Sequence, residues 1–389
     1  MGSVLTSMPF VAGLKERFPG CRITFLTDVA NTDLVERCDL VDAVIGIAPS
    51  WRSRRALRLP GLAWRLRRAV PDIFFDLQLH AHRADSAWLA IASGASARVG
   101  FYWPSDTLRH RIFHTLVVVN MFAPVQELYL QMARMLGYGE AAAAQRVRLR
   151  VDADDRDDAA ALLAGWPESG SRLLVVNVNT SDKATVRRWP LDRFRNAISR
   201  ILEHDESVNV ALIGAADEFD RVESLRQALG RSDARVRNVA GRTSFGGLLA
   251  LIRRADCLLT NDSGPFHFGV ALETPTVGLF GPVHPDHYAR TGTSDRTVIF
   301  YHPIVCSPCV HFVKTPPCGG NNHCMQMIEP DEVADACLKL LSGAVGGAPR
   351  GGARWRFSVP PQTTSRAGAV LGVWNRQARD ADLPVATCG

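Results

Sequence analysis

No stretch of this 389-residue chain reaches the roughly 18 consecutive apolar residues that a helix needs to cross a bilayer, which excludes a helical membrane-spanning class. The opening segment, Met1 to Leu14, lacks a basic segment before its apolar residues and lacks a small-residue cleavage pattern. No secretory signal is read, and a cytoplasmic location is the expectation. Cysteine is sparse: of the nine present, Cys21, Cys38, Cys257, Cys337 and Cys388 stand alone, which argues against a disulfide framework. Acidic residues are missing altogether from Trp51 to Arg68, where seven arginines alternate with Leu57, Leu59, Leu62, Trp64 and Leu66. That basic amphipathic segment is read either as a surface for an anionic inner-membrane face or a phosphorylated acceptor, or as a solvated helix face whose leucines pack inward, with Pro60 kinking or dividing it. No nucleic-acid reader motif accompanies it, so nucleic acid is not an expected partner. At 47% hydrophobic and 22% charged residues, the chain has the composition of a globular protein long enough for two cored domains.

The most informative stretch that is present is Cys257 to Pro282, CLLTNDSGPFHFGVALETPTVGLFGP. A short apolar run, then Asn-Asp-Ser-Gly-Pro, then a helix-length segment and a second apolar run read as strand, tight turn, helix and strand. Pro265 suits a first helical turn, Gly264 lets backbone approach a ligand, and the free N–H groups of such a helix start favour a phosphate. A turn that merely caps a helix requires neither Asp262 nor His267. Upstream, strand and helix patterns alternate from Leu173 to Arg253, which argues for a parallel sheet covered on both faces. After its first strand comes NTSDKATVRRWP, where Asn179 and Thr180 supply hydrogen-bonding groups at a strand end and Arg187 supplies a guanidinium suited to a diphosphate.

Residues NDSGPFHFGVALETPTVGLFGP closely resemble the signature of glycosyltransferase family 9, the bacterial lipopolysaccharide heptosyltransferases and their relatives. The resemblance runs from about Gly2 to Leu341. It implies the GT-B architecture: an α/β fold of two Rossmann-like, doubly wound domains facing across a cleft. Residues 1–150 are expected to form the acceptor-side domain and 165–341 the nucleotide-sugar domain, with a Cys-rich loop at 306–324 and a disordered, Gly/Pro/Arg-rich tail at 342–389. Asn179, Thr180, Arg187, Asp262, Ser263, Gly264 and His267 become the expected donor-binding set.

The same resemblance exposes departures. Family members usually carry a strand ahead of their first Gly-Asp turn, whereas here Met1-Gly2-Ser3 begins at the turn, so the start is expected to lie further upstream. Ser3 occupies the position of the family's proposed Asp base, and a hydroxyl cannot take a proton near neutrality unaided. Ser3 and Asp85 are therefore the candidate catalytic positions. His80, His82 and Arg83, just beyond the strand at Asp72 to Leu77, are the candidate acceptor contacts. Near the end, Cys306, Cys309, Cys318 and Cys324 have a C-x2-C-x8-C-x5-C spacing, read as either a structural zinc site or free thiols. The function expected is inverting transfer of a sugar, heptose being the family's best-known one, from a nucleotide diphosphate to a lipopolysaccharide or other glycan acceptor. No catalytic metal is required. A nucleotide-sugar epimerase and an inert nucleotide-sugar-binding relative are the competing readings.

Overall fold

Strand and helix alternate along the chain because short β-branched or apolar runs, closed by Gly, Pro or Asn, are followed by amphipathic helix-length segments. The computed structural model describes residues 1–48, 55–79, 84–103, 106–120, 123–137, 147–166, 170–230, 234–288, 296–310, 313, 315–343 and 354–356. In the first half the elements are α1 (Gly2–Arg17), β1 (Thr24–Asp28), α2 (Thr32–Glu36), β2 (Ala43–Ile47), α3 (Arg55–Arg68), β3 (Ile73–Phe75), α4 (Ala84–Ser93), β4 (Ala97–Tyr102), α5 (Thr107–Ile112), β5 (Thr115–Val118) and α6 (Val125–Arg134). Helix α7 (Ala153–Leu163) leads into the second half: β6 (Arg172–Asn177), α8 (Leu191–His204), β7 (Val208–Ile213), α9 (Phe219–Ala228), β8 (Val236–Asn238) and α10 (Phe245–Arg254). There follow β9 (Cys257–Asn261), α11 (Gly264–Ala271), β10 (Thr276–Phe280), α12 (Pro285–Tyr288), β11 (Thr297–Tyr301), α13 (His323–Gln326), α14 (Pro330–Leu341) and β12 (Arg354–Arg356).

The second half forms one sheet in the order β12-β11-β10-β9-β6-β7-β8, parallel throughout. Strands β7, β9 and β10 are buried along their whole length, and β6 everywhere but its first residue. Helices cover both faces of such a sheet, so its strands read as continuous apolar runs rather than alternating ones. Chain order reverses between β6 and β9, and ligands of open parallel sheets bind beyond the carboxyl ends at such a point. Register pairs Asn177 with Thr260 across that junction.

The first half differs. Its strands form two separate parallel sheets, β1-β2 and β3-β4-β5, with no strand between β1 and β3 among the described residues. The full length of β1 and the run from Ile73 to Leu79 line one cavity. Helix α3 continues through Pro60 instead of dividing there. Leu62 and Leu66 pack against Leu89 and Ala92, and this burial holds the helix together while one ladder hydrogen bond is lost at the proline. Trp64 on the outer side is 61% exposed, with the Arg68 guanidinium 4.8 Å from its ring centre.

The halves pack within one unit, Met1–Phe357. The Arg37 guanidinium, reaching from the end of α2, grips the Asp155 carboxylate on α7 through contacts of 2.5 and 3.1 Å and holds that carboxyl below its usual range. A side chain at Gly246 on α10 would meet Asp155 Oδ1 at 1.8 Å, so glycine is required for the helix to approach this pair. Within the stretch expected to be largely disordered, Arg354–Arg356 add to the edge of β11, Trp355 opposite Ile299. Strand addition uses main-chain groups, which a Gly/Arg-rich composition does not forbid.

Candidate active site

The site forms where β6 and β9 end side by side. Asn177, the last residue of β6, donates from Nδ2 to the Asn179 carbonyl at 3.0 Å, to Thr260 Oγ1 at 3.1 Å and to Ser263 Oγ at 2.9 Å. Asn261 accepts the Trp189 N–H at 2.9 Å through Oδ1, which seats the Arg187–Trp189 turn over β9. Trp189 is fully buried, packs edge-on against Phe194 and donates its indole N–H to the Ile328 carbonyl at 3.2 Å. In the sequence Asn177 and Asn261 look like ordinary turn residues at strand ends. Their register neighbours on adjacent strands reveal their part, and those are not contiguous in the chain.

On this frame sit the expected donor-binding residues. Arg187 Nη1 lies 3.2 Å from Asp262 Oδ2, with Asp262 buried at 4% exposure. Burial raises the Asp262 pKa, and the charge of Arg187 opposes that rise. His267, in the first turns of α11, is held down to about 4 by burial, with the positive Met1 amine and Arg187 adding to the effect. Its imidazole is therefore neutral near pH 7. Ser263 caps α11 without a side-chain bond to the helix, because its hydroxyl is spent on Asn177 and the Asn261 carbonyl. Thr180 likewise turns inward, donating to the Ala184 carbonyl at 2.9 Å. Asn179 is 2% exposed, yet its side-chain nitrogen and oxygen have no partner among the described residues, and the residue lines the cavity. A buried amide left open in this way is poised for a ligand, since an unsatisfied one costs about 1–3 kcal/mol.

The cavity in front of these residues has a volume of about 1790 Å³ and draws its walls from both halves. Helix α1 starts against α11: a Cβ on Gly2 would stand 2.7 Å from His267 Cδ2. Ser3 lines the cavity in the first turn of α1, and among the described residues no carboxylate hydrogen-bonds its hydroxyl. His80, His82 and Arg83 lie outside the described residues, and of Asp85 only the backbone, in α4, is described. Not anticipated from sequence was a buried pair in the first half. Arg109 bonds Asp76 at 2.5 Å, Ser86 Oγ at 2.9 Å and the Phe101 carbonyl at 3.2 Å, fixing the carboxyl end of β3.

Of the four clustered thiols, Cys309 and Cys324 are buried. Burial, reinforced by the neighbouring thiols, pushes Cys324 up to about 12. Among the described residues no group of three or more His, Cys, Asp or Glu side chains is arranged to hold a metal ion. No helix of the described residues is long and apolar enough to cross a membrane.

Residues 62–318 match the model of glycosyltransferase family 9 (heptosyltransferase). The chain belongs to this family. Among curated relatives it is 25% identical over 179 residues to lipooligosaccharide heptosyltransferase 2 of Campylobacter jejuni, covering 45% of this chain and 53% of that protein. The chain thus spans about half the length of the first curated relatives it matches. Among solved structures it resembles the family 9 glycosyltransferase of Veillonella parvula, with TM-score 0.71, 19% identity and coverage of 88% of this chain and 94% of that one. It also resembles ADP-heptose lipopolysaccharide heptosyltransferase II of Escherichia coli, with TM-score 0.67, 20% identity and coverage of 87% and 95%. At such identities the likeness establishes the fold, the GT-B pairing of two Rossmann-like halves.

Proposed function

We propose that this family 9 chain transfers a sugar, with inversion, from a nucleotide-diphosphate donor such as ADP-heptose to a lipopolysaccharide core acceptor. The observation that carries the reading is the convergence of Arg187, neutral His267 and the uncapped start of α11 on one cavity, with the open amide of Asn179 beside them. A departing diphosphate develops negative charge, and fixed guanidinium and helix-start dipoles stabilise it without reorganisation. No catalytic metal is needed in this reading. Two features support ADP-heptose as the donor to try first: family membership and the likeness to a protein described as an ADP-heptose lipopolysaccharide heptosyltransferase. The acceptor enters from the first half. The outer side of α3, with Trp64 beside Arg65, Arg67 and Arg68, faces the anionic membrane or acceptor in this scheme.

The test is sugar transfer from a panel of nucleotide sugars by the unsubstituted chain and by Arg187→Ala. Loss of one preorganised charge donor lowers kcat/KM by about 10²–10³-fold. Undiminished turnover in the variant sinks the role of Arg187. Release of a free epimerised sugar with no acceptor consumed points to an epimerase instead.

A further inference from the structure

Ser3 leaves the transfer reaction without an evident proton acceptor, so the carboxylates around the cavity bear closer inspection. Among the described residues they are Asp28, Asp72, Asp76, Glu218 and Asp262. Four are engaged or misplaced. Asp262 is buried against Arg187 and belongs to the donor side. Asp76 is buried under Arg109 and takes the Gln78 N–H at 3.0 Å. Glu218 belongs to the second half and accepts the Ala215 N–H at 2.8 Å in a helix cap. Asp72 precedes β3, at the amino end of the strand and so away from the edge where α11 begins.

Asp28 differs on each count. It is the last residue of β1, at the carboxyl end that opens on the cleft, and it is exposed. Oδ1 accepts the Ala30 N–H at 3.0 Å, which fixes the carboxylate's position, and no protein donor to Oδ2 is seen among the described residues. Gly2, at the start of α1, packs on the His267 ring, and Asp28 and His267 line the same cavity. The carboxylate therefore belongs to the acceptor half and lines the same cavity as Ser263, Gly264 and His267 at the α11 start.

We propose that Asp28 is the general base of the transfer, taking the proton from the acceptor hydroxyl in place of Ser3. The assignment rests on the transferase reading given above. In the step, the acceptor O–H proton passes to the Asp28 carboxylate while the acceptor oxygen forms a bond to the anomeric carbon. The bond from that carbon to the diphosphate oxygen breaks, and its electron pair leaves with the nucleotide diphosphate toward Arg187 and the α11 start. The proton on Asp28 is then lost to solvent.

The experiment compares the full chain with Asp28→Asn and Asp28→Glu, using ADP-heptose as donor and heptose-deficient lipopolysaccharide as acceptor. Melting temperature checks folding, and calorimetry with ADP-heptose checks the donor pocket. For Asp28→Asn the expected result is an unchanged melting temperature, a donor Kd within about threefold and a kcat lower by roughly 10²–10⁴-fold, the usual contribution of a positioned base. The acid limb of the kcat/KM profile against pH vanishes with it, a change that a purely structural role would not produce. Asp28→Glu, which retains a carboxylate, recovers part of the rate. If the unsubstituted chain turns over and Asp28→Asn keeps its kcat within about threefold, the assignment is overturned while the transferase reading stands. If the unsubstituted chain binds ADP-heptose but never transfers, or fails to bind it, the transferase reading falls and takes this assignment with it.

Discussion

The two halves of the chain share one pattern, parallel strands alternating with helices, and reach different degrees of closure. In the second half β6 and β9 lie side by side at the centre of a seven-stranded sheet, and their strand-end residues Asn177, Thr260 and Asn261 are at most 4% exposed. In the first half β1 to β5 are mostly half-buried, and the edges of β1 and β3 face a shared cavity instead of a common neighbour. A diphosphate needs fixed dipoles, and a closed sheet fixes them. In the half that carries Asp28 and Ser3, no strand joins β1 to β3 among the described residues, and Arg109 with Asp76 pins the end of β3.

That contrast can be broken experimentally. The largest effect separates Leu259→Ala from Leu26→Ala. Leu259 is fully buried in the second core, and its truncation is expected to cost about 2–5 kcal/mol in denaturant unfolding. Leu26, half-buried on β1, is expected to cost about 1 kcal/mol or less. Equal losses would mean that the first half is as closed as the second. A smaller change is expected for Asn177→Ala, about 1–3 kcal/mol, because Ser263 and Thr260 lose a buried donor together. Donor affinity should fall with it if the strand-end network holds the α11 start in place, and calorimetry of donor binding checks this. The smallest and most specific effect is on His267, whose imidazole titrates at about 4 in the free protein. An unfolded histidine binds its proton below about 6.5 and the folded one only near 4, so this group makes the protein more stable as pH rises between those values. A bound diphosphate places negative charge beside the ring and should raise its pKa, read by NMR titration with and without ADP. No shift on ADP binding would remove His267 from the donor pocket.

Much of this was legible in the residues themselves. The strands at 43–47, 208–213 and 276–280 have the bounds their apolar runs define, because short apolar runs closed by Gly or Pro within two residues leave little choice. Arg187, Asp262 and His267 were readable as a set because each lies at a strand end or helix start of a recognisable turn. Other features were not legible in this way. The bonds that Ser263 and Thr180 make within the protein, to the Asn261 and Ala184 carbonyls, are among these. Asn177, Asn261 and Arg109 gave no local signal, since each bonds a partner more than 20 residues away. Pro60 was expected to kink or divide α3, and the helix is not divided there, Leu62 and Leu66 being buried on its inner side.

Sequence alone determined the parallel α/β plan and the turn and helix start after β9, since these depend on periodicity and on residue types within one turn. Only the tertiary structure decided which side chains meet. Asp262 faces Arg187 from 75 residues away because β6 and β9 are neighbours. Asp28 comes to line the same cavity as Asp262 and His267 because α1 carries the chain back from the cleft and β1 returns it there. Such encounters are fixed by sheet order and helix packing, which no short stretch of sequence encodes.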